Sequence, residues 1–307
     1  MEDGKKKKPL WLLLLLLCLL TAAGALLYIV IGKHREAAAE REMERIRQME
    51  AAESMPDPEP TLPAPEAEPT AADARAEAEV TPFPTPVREP GRELPQIPER
   101  IIDWESLQKE NPDIYAWVCV PDTDVDYPVL QHPSDDSFYL NHNLDGSYGN
   151  PGCIYTEKEW NSKDFTDPNT VLYGHNFNDD RMFSTLHRFD DGAFFEGDHY
   201  IFVFREDGDP LAYLIFAAYE TNAMHLLANG DMHNEYVFAD YLKNIRTAGS
   251  RVVHYRDDIE LTTEDRLITL STCPFGAGKD KRYLVQGVLL NPEAAERDAV
   301  LPAIDLE

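Results

Sequence analysis

A cysteine at the end of a hydrophobic run is the residue of this chain best suited to chemistry. The run Leu-Ile-Thr-Leu-Ser-Thr from residue 267 predicts a buried strand, and Cys273 follows it directly. Arg282 begins a second strand-like run nine residues later. A thiol at a strand end with a fixed cation nearby can form a thiolate and stabilise the charge that its attack creates. The alternative is that Cys273 is a small buried hydrophobe, as most free cysteines are.

A cysteine nucleophile also needs a proton acceptor, and His175 is the best candidate among the nine histidines. Val171-Leu172-Tyr173 predicts a strand that ends in Gly174 and then His175. Glycine permits a close approach of the backbone, so the imidazole can face a cleft from the strand end. A loop histidine without a catalytic role is the alternative. His34 falls in a predicted stalk, and we interpret the remaining histidines as surface residues: His132, His142, His187, His199, His225, His233 and His254.

Composition excludes several classes of function. The formal net charge of −28 argues against a nucleic-acid partner, which would require a basic face. The four cysteines are too few and too scattered for a disulfide scaffold. Cys119 and Cys153 lie in apolar, strand-like surroundings that are typical of buried free thiols, although a bridge between them stays open. No spacing of Cys or His predicts a metal site, and we expect no metal and no cofactor.

The N-terminal segment predicts a membrane anchor. Residues 10–32 carry no charge and are long enough to cross a bilayer as a helix. Four lysines at positions 5–8 place the tail 1–9 in the cytoplasm and the rest of the chain outside the cell. A cleaved signal peptide is the alternative, because Ala23-Gly24-Ala25 resembles a cleavage site. The apolar run continues well beyond that point, which favours an uncleaved, single-pass anchor.

Two attachments then precede a globular region. Residues 33–53 are rich in Ala, Glu, Arg and Met and predict a charged helical stalk. Residues 54–98 are rich in proline and glutamate and predict an extended linker that holds the following domain away from the membrane. We expect a folded domain over residues 99–292, followed by an acidic tail over residues 293–307.

The folded region is predicted to be mainly β. Short strand-like runs alternate with few helical segments, which favours a closed β-barrel with helical insertions. Asp103 can cap a short helix through Lys109, and Met182–Phe189 suggests another. Phe238, Tyr241, Leu242 and Ile245 have the spacing of one buried helix face. The predicted strands cover residues 117–120, 125–130, 170–173, 200–205, 211–219, 267–273 and 283–290.

The three candidate residues lie in motifs that resemble those of sortases. Tyr173-Gly174-His175-Asn176, then Thr269-Leu270-Ser271-Thr272-Cys273, then Arg282 follow the order of the family's His, Cys and Arg motifs. Further segments resemble class B sortases in particular: Asn111–Trp117, Val125–Val129, Phe138–Leu140, Arg181–Phe183 and the helical pattern Asn234–Ser250. The resemblance spans about residues 100–290.

This resemblance implies a closed eight-stranded sortase-type barrel with a helical insertion before the cysteine strand. It also implies a membrane-bound cysteine transpeptidase with Cys273 as nucleophile, His175 as acid and base, and Arg282 at the oxyanion and the substrate carbonyl. Four residues are implied as substrate contacts: Ser271, Thr272, Asp136 and Leu140.

The expected substrates are secreted proteins with a C-terminal sorting signal. The expected acceptor is an amine of a peptidoglycan precursor. A pilin lysine as acceptor is the first alternative. A catalytically silent, membrane-tethered peptide-binding module and a hydrolytic cysteine peptidase are the others.

Overall fold

The structure, a computed structural model, describes residues 94–177, 179–246, 253–274 and 280–299, together with residues 33 and 41. The predicted tail 1–9, the predicted anchor 10–32, and most of the predicted stalk and linker lie outside these ranges. Among the described residues, no helix combines the length and the apolar character needed to span a membrane.

Nine strands form one sheet among the described residues, and eight of them close into a barrel. The strands are β1 Ile114–Val120, β2 Val125–Leu130, β3 Ile154–Tyr155, β4 Asn169–Tyr173, β5 Tyr200–Arg205, β6 Leu211–Asn222, β7 Val253–Tyr255, β8 Leu267–Thr272 and β9 Lys281–Leu289. Their order around the barrel is β5-β1-β2-β3-β4-β8-β9-β6, and β6 closes the ring by pairing with β5. The remaining strand, β7, pairs with the second half of β6. The predicted closed, mainly β, eight-stranded barrel is confirmed.

Short helices fill the connections. They are α1 Trp104–Glu110, α2 Gly192–Phe195, α3 Glu235–Ile245 and α4 Pro292–Ala299, with 3-10 helices at Phe138–Leu140, Ser184–Asp190 and Leu227–Asn229. Asp103 caps α1 as expected, because its side chain accepts a hydrogen bond from the backbone N–H of Ser106. The helix suggested over Met182–Phe189 is the 3-10 helix Ser184–Asp190. The predicted helical insertion is α3, which ends at Ile245, short of Ser250, and residues 247–252 lie outside the described ranges.

Two hydrophobic layers meet at β8. Ile268 and Leu270 point into the barrel, whereas Leu267 belongs to a second apolar cluster on the outer face. Phe238 and Ile245 of α3 pack into that outer cluster, as the spacing of the helix predicts. Burial of each such side chain contributes about 1.5–3 kcal/mol. The helix therefore stabilises the strand that leads to Cys273.

A buried polar network lies between α3 and the barrel wall. The Gln286 side-chain amide donates to the hydroxyls of Tyr241 (2.7 Å) and Thr269 (2.8 Å), and its carbonyl accepts from Tyr219 (3.0 Å). Thr269 in turn donates to Asn169 on β4 at 2.8 Å. Burial raises the pKa of Tyr241 to about 12, so its hydroxyl stays protonated. The network ties α3, β4, β8 and β9 together.

Candidate active site

Three neighbouring strands bring the predicted residues to one edge of the sheet. In the parallel pair β4 and β8, Tyr173 lies opposite Ser271, and His175 and Cys273 each follow two residues later. In the antiparallel pair β8 and β9, the last partners are Thr272 and Tyr283, so Cys273 emerges beside Arg282. Cys273 is exposed, which rejects its interpretation as a buried hydrophobe.

Gly174 is required for the path of the chain between β4 and His175. A Cβ atom at this position would lie 2.5 Å from Cδ1 of Ile154 and 2.6 Å from Cδ2 of Phe183, both inside the barrel wall. Its backbone N–H donates to the carbonyl of Ser271 at 3.1 Å and so continues the pairing with β8 by one residue. The glycine lets His175 leave the sheet beside the end of β8, as the sequence predicts.

The ring of His175 is held by a backbone carbonyl. Its Nε2 atom lies 2.7 Å from the carbonyl oxygen of Leu140. A carbonyl oxygen only accepts, so Nε2 carries a proton and Nδ1 is the nitrogen that exchanges protons with other groups. Gly152 allows this approach, since its φ is +71° and a Cβ there would lie 2.8 Å from the carbonyl of Tyr139.

The backbone of Cys273 is held by the Asn176 side chain, a contact that the sequence did not identify, and His187 lies against both groups. The carbonyl oxygen of Cys273 accepts a hydrogen bond from Asn176 Nδ2 at 2.7 Å, and His187 Nε2 lies 3.2 Å from the same oxygen. The His187 side chain is only 6% exposed and stacks on Tyr283, with ring centroids 4.2 Å apart. The interpretation of His187 as a surface residue is wrong, because it is part of the site. It is also wrong for His199, whose side chain is 11% exposed.

Arg282 lies beside two stacked phenols. The rings of Tyr155 and Tyr173 are 5.4 Å apart. Burial raises the pKa of both hydroxyls well above the usual value and the charge of Glu157 adds to this, while the positive charge of Arg282 opposes it. Both phenols therefore stay neutral, so neither neutralises the Arg282 guanidinium.

A second polar cluster joins two loops next to the site. His225 Nε2 lies 2.5 Å from a carboxylate oxygen of Glu157 and 3.3 Å from the hydroxyl of Tyr173. The ring of Trp160 lies 5.1 Å from that of His225. This cluster connects the loop after β3 to the segment after β6. No local pattern indicates it, since Glu157 and His225 are far apart in the sequence.

The four residues implied as substrate contacts do not share one surface. Ser271 shares the sheet face of Tyr173, and its backbone carbonyl is already used by Gly174. Thr272 is buried on the opposite face, with a hydroxyl that has no hydrogen-bond partner among the described residues. Asp136 accepts hydrogen bonds from the backbone of Lys158 and Glu159 and so shapes the loop after β3. Leu140 lies next to His175, and its side chain is exposed.

Within the described ranges, no three His, Cys, Asp or Glu side chains are grouped so that they could hold a metal ion. No disulfide joins Cys119 and Cys153, so the bridge that the sequence left open does not form.

Comparison with known proteins gives consistent matches. A family model described as the sortase domain matches residues 118–290. Sortase B of Listeria monocytogenes is 33% identical over 185 residues, which cover 60% of this chain and 72% of that protein. The solved structure of Clostridium perfringens sortase B is 31% identical with a TM-score of 0.53 and covers 61% of this chain and 98% of that one. A Streptococcus pyogenes class B sortase involved in pilus biogenesis is 26% identical, with a TM-score of 0.51, and covers 62% of this chain and 98% of that one.

Proposed function

Because this chain belongs to the sortase family and to its class B, a family of cysteine transpeptidases that anchor proteins to the cell wall, we propose that it cleaves a C-terminal sorting signal of secreted proteins. The acyl group is held as a thioester and passed to an amine of a peptidoglycan precursor. The observation that carries this proposal is the register of β4, β8 and β9, which gathers His175, Cys273 and Arg282 at one edge.

Each of the three residues has a role in the first half of the proposed reaction. The Cys273 thiolate attacks the carbonyl carbon of the scissile peptide bond, and the Arg282 guanidinium donates hydrogen bonds to the oxyanion that forms. His175, protonated on both nitrogens, gives its Nδ1 proton to the departing amine as the C–N bond breaks. The products are a thioester on Cys273 and a free amine.

The second half regenerates the thiolate. The neutral Nδ1 of His175 takes a proton from the incoming amine as this amine attacks the thioester carbonyl. The C–S bond then breaks, which releases a new amide and restores the thiolate and imidazolium pair. The hydrogen bond from Nε2 to Leu140 keeps the same ring nitrogen in use in both halves.

The proposed setting is the outer face of a cell membrane. The uncharged segment 10–32 supports a single-pass anchor with a cytoplasmic N-terminus, and the proline-rich segment 54–98 supports a spacer between the anchor and the enzyme. Membrane fractionation of the full chain and of a chain without residues 1–32 tests this: only the full chain is expected in the membrane fraction.

One specific alternative exists to a peptidoglycan precursor as the amine acceptor. The similarity to a class B sortase involved in pilus biogenesis supports a lysine side chain of a pilin as the nucleophile. The chemistry at Cys273 is the same in both cases, so only the linked product separates them. Mass spectrometry of that product identifies the amine. Free acid as the sole product, even with an amine present, would instead indicate a hydrolytic peptidase.

The decisive experiment traps the acyl-enzyme. The full-length protein is incubated with a peptide library, and the modified peptide of the protein is sequenced by mass spectrometry. We expect a thioester on Cys273, and no thioester or cleavage with Cys273→Ala. Cys119→Ala is the matched control and should keep full activity. Full activity in Cys273→Ala would refute the proposed reaction, and wild-type protein that binds peptides without cleaving them would support the silent binding module.

A further inference from the structure

We propose that Asn176 is a positioning residue, which fixes the backbone of Cys273 relative to His175 and is itself supported by His187. This inference rests on the proposed role of Cys273 as the nucleophile.

The backbone at Cys273 needs support from outside the sheet. The β8–β9 ladder ends at the pair Thr272 and Tyr283. The next residue after Cys273 is Pro274, which has no N–H to donate. The carbonyl oxygen of Cys273 is therefore the sole backbone hydrogen-bonding atom of that peptide unit. Asn176 meets this oxygen with Nδ2 at 2.7 Å.

The orientation of the Asn176 amide leaves its buried oxygen without a hydrogen bond among the described residues, which packing alone does not explain. The Cys273 carbonyl can only accept, so the amide must present its nitrogen to it. In this orientation Asn176 Oδ1 is buried, with no hydrogen-bond partner among the described residues. Buried polar atoms are nearly always satisfied, so an exception requires a specific explanation. The contact with Cys273 thus sets the orientation of the Asn176 amide, and in this orientation the amide oxygen makes no hydrogen bond among the described residues.

His187 supports the same contact from the other side. Its Nε2 lies 3.2 Å from Asn176 Nδ2 and 3.2 Å from the Cys273 carbonyl oxygen. Its Nδ1 lies 3.0 Å from a carboxylate oxygen of Asp190, and its ring stacks on Tyr283. The imidazole is therefore fixed by a carboxylate at one nitrogen and by an aromatic ring at its face. Because Nδ1 faces a carboxylate and carries a proton, Nε2 is the acceptor for the Asn176 amide, and the ring limits the movement of that amide.

The sequence position of Asn176 makes this contact a link between the two reacting groups. Asn176 directly follows His175, so one side chain joins the backbone next to the imidazole to the backbone of the thiol. The ring of His175 is fixed independently by Leu140. Losing the Asn176 contact frees the strand end that carries Cys273 while leaving the imidazole in place. A misplacement of about 1 Å between reacting groups lowers the rate by about 100-fold.

The test is Asn176→Asp, which keeps the shape of the side chain and removes both N–H donors. We expect kcat for transpeptidation to fall by about 10- to 100-fold, with KM within about two-fold of the wild-type value. At about pH 10, above the ordinary thiol pKa, Cys273 is a thiolate with or without an aligned imidazole, so its rate of alkylation by iodoacetamide should stay within about three-fold of the wild-type rate. Asn244→Asp on the surface of α3 is the matched control and should leave kcat unchanged.

A second variant keeps the proposal testable if Asn176→Asp fails to fold. His187→Phe keeps an aromatic ring on Tyr283 and removes both ring nitrogens, and we expect kcat to fall by about three- to ten-fold. Wild-type kcat in both folded variants overturns the inference, as does a loss that appears only as a higher KM. These outcomes are separate from failure of the proposed function, which would appear as activity in Cys273→Ala.

Discussion

The imidazole of His175 and the carbonyl of Leu140 form a 2.7 Å hydrogen bond that selects which ring nitrogen can transfer protons. Leu140 ends a 3-10 helix and Gly152 precedes β3, so the acceptor belongs to a part of the chain distant from both β4 and β8. The proposed proton transfer by His175 therefore depends on a loop that holds the imidazole through its backbone.

Gly152 tests this dependence. A Cβ at residue 152 would lie 2.8 Å from the carbonyl of Tyr139 and 3.1 Å from that of Leu140, so Gly152→Ala must displace the acceptor. We expect kcat to fall at least about ten-fold, because the imidazole loses its fixed orientation. Gly146→Ala is the matched control, since Gly146 has a similar φ of +74° but no atom within 4 Å of a Cβ. Equal activity losses in the two variants would contradict the prediction.

Arg282 should require its geometry as well as its charge. Arg282→Lys keeps a cation and loses the planar set of donors, so we expect kcat to fall by about 10²- to 10³-fold with little change in thermal stability. Steady-state kinetics with a cleavable peptide measures this. Arg246→Lys, at the exposed end of α3, should behave as wild type. A fully active Arg282→Lys would mean that the residue contributes charge alone.

The free thiols should differ strongly in reactivity. Burial raises the pKa of the Cys153 thiol well above its usual value, so it stays protonated and unreactive at about pH 8, near the ordinary thiol pKa. Cys273 is exposed at the strand end. Peptide mapping after brief alkylation of the native protein should find label on Cys273 and almost none on Cys153. Unfolding in denaturant should remove this difference, because it exposes both thiols.

The buried amide of Gln286 should be a major contributor to stability. Gln286→Leu removes the donor to the Thr269 and Tyr241 hydroxyls and the acceptor of the buried Tyr219 hydroxyl, and we expect the free energy of unfolding to fall by about 2–3 kcal/mol. Denaturant titration measures this change. Gln108→Leu, which removes a surface hydrogen bond to Glu206, should change the same quantity by less than about 0.5 kcal/mol. A Gln286→Leu protein of wild-type stability would show that the network adds nothing.

Much of the barrel could be predicted from the sequence because its longer strands carry clear apolar runs. β8 and its cysteine were predicted in this way, as was the buried face of α3. β3 has two residues and β7 has three, too short for any periodicity to be visible. The register between β4 and β8 depends on pairing across the whole fold, so the sequence named His175, Cys273 and Arg282 as candidates but not the strand pairing that brings them together.

Side chains that act through tertiary contacts were missed for a physical reason. His187 lies in the segment Met182–Phe189, where nothing local distinguishes a buried histidine from an exposed one, yet Tyr283 and Asp190 contact its ring. Glu157 and His225 are 68 residues apart in the sequence. Asn176 was within a recognised motif, but its contact with the Cys273 carbonyl depends on the pairing of β4 with β8. Local patterns carry no information about such partners.

The parallel pairing of β4 and β8 also determines the stage of folding at which His175 and Cys273 become neighbours. After β4 the chain must return to the opposite end of the barrel before β8 can begin, and residues 174–266 make that return. Joining segments so far apart in sequence is slow, because the entropy of closing a long loop must be overcome first. His175 and Cys273 are not neighbours until this step is complete. An incompletely folded chain therefore contains the thiol without its proposed proton donor, so the proposed cleavage of peptide bonds begins only after the barrel has closed.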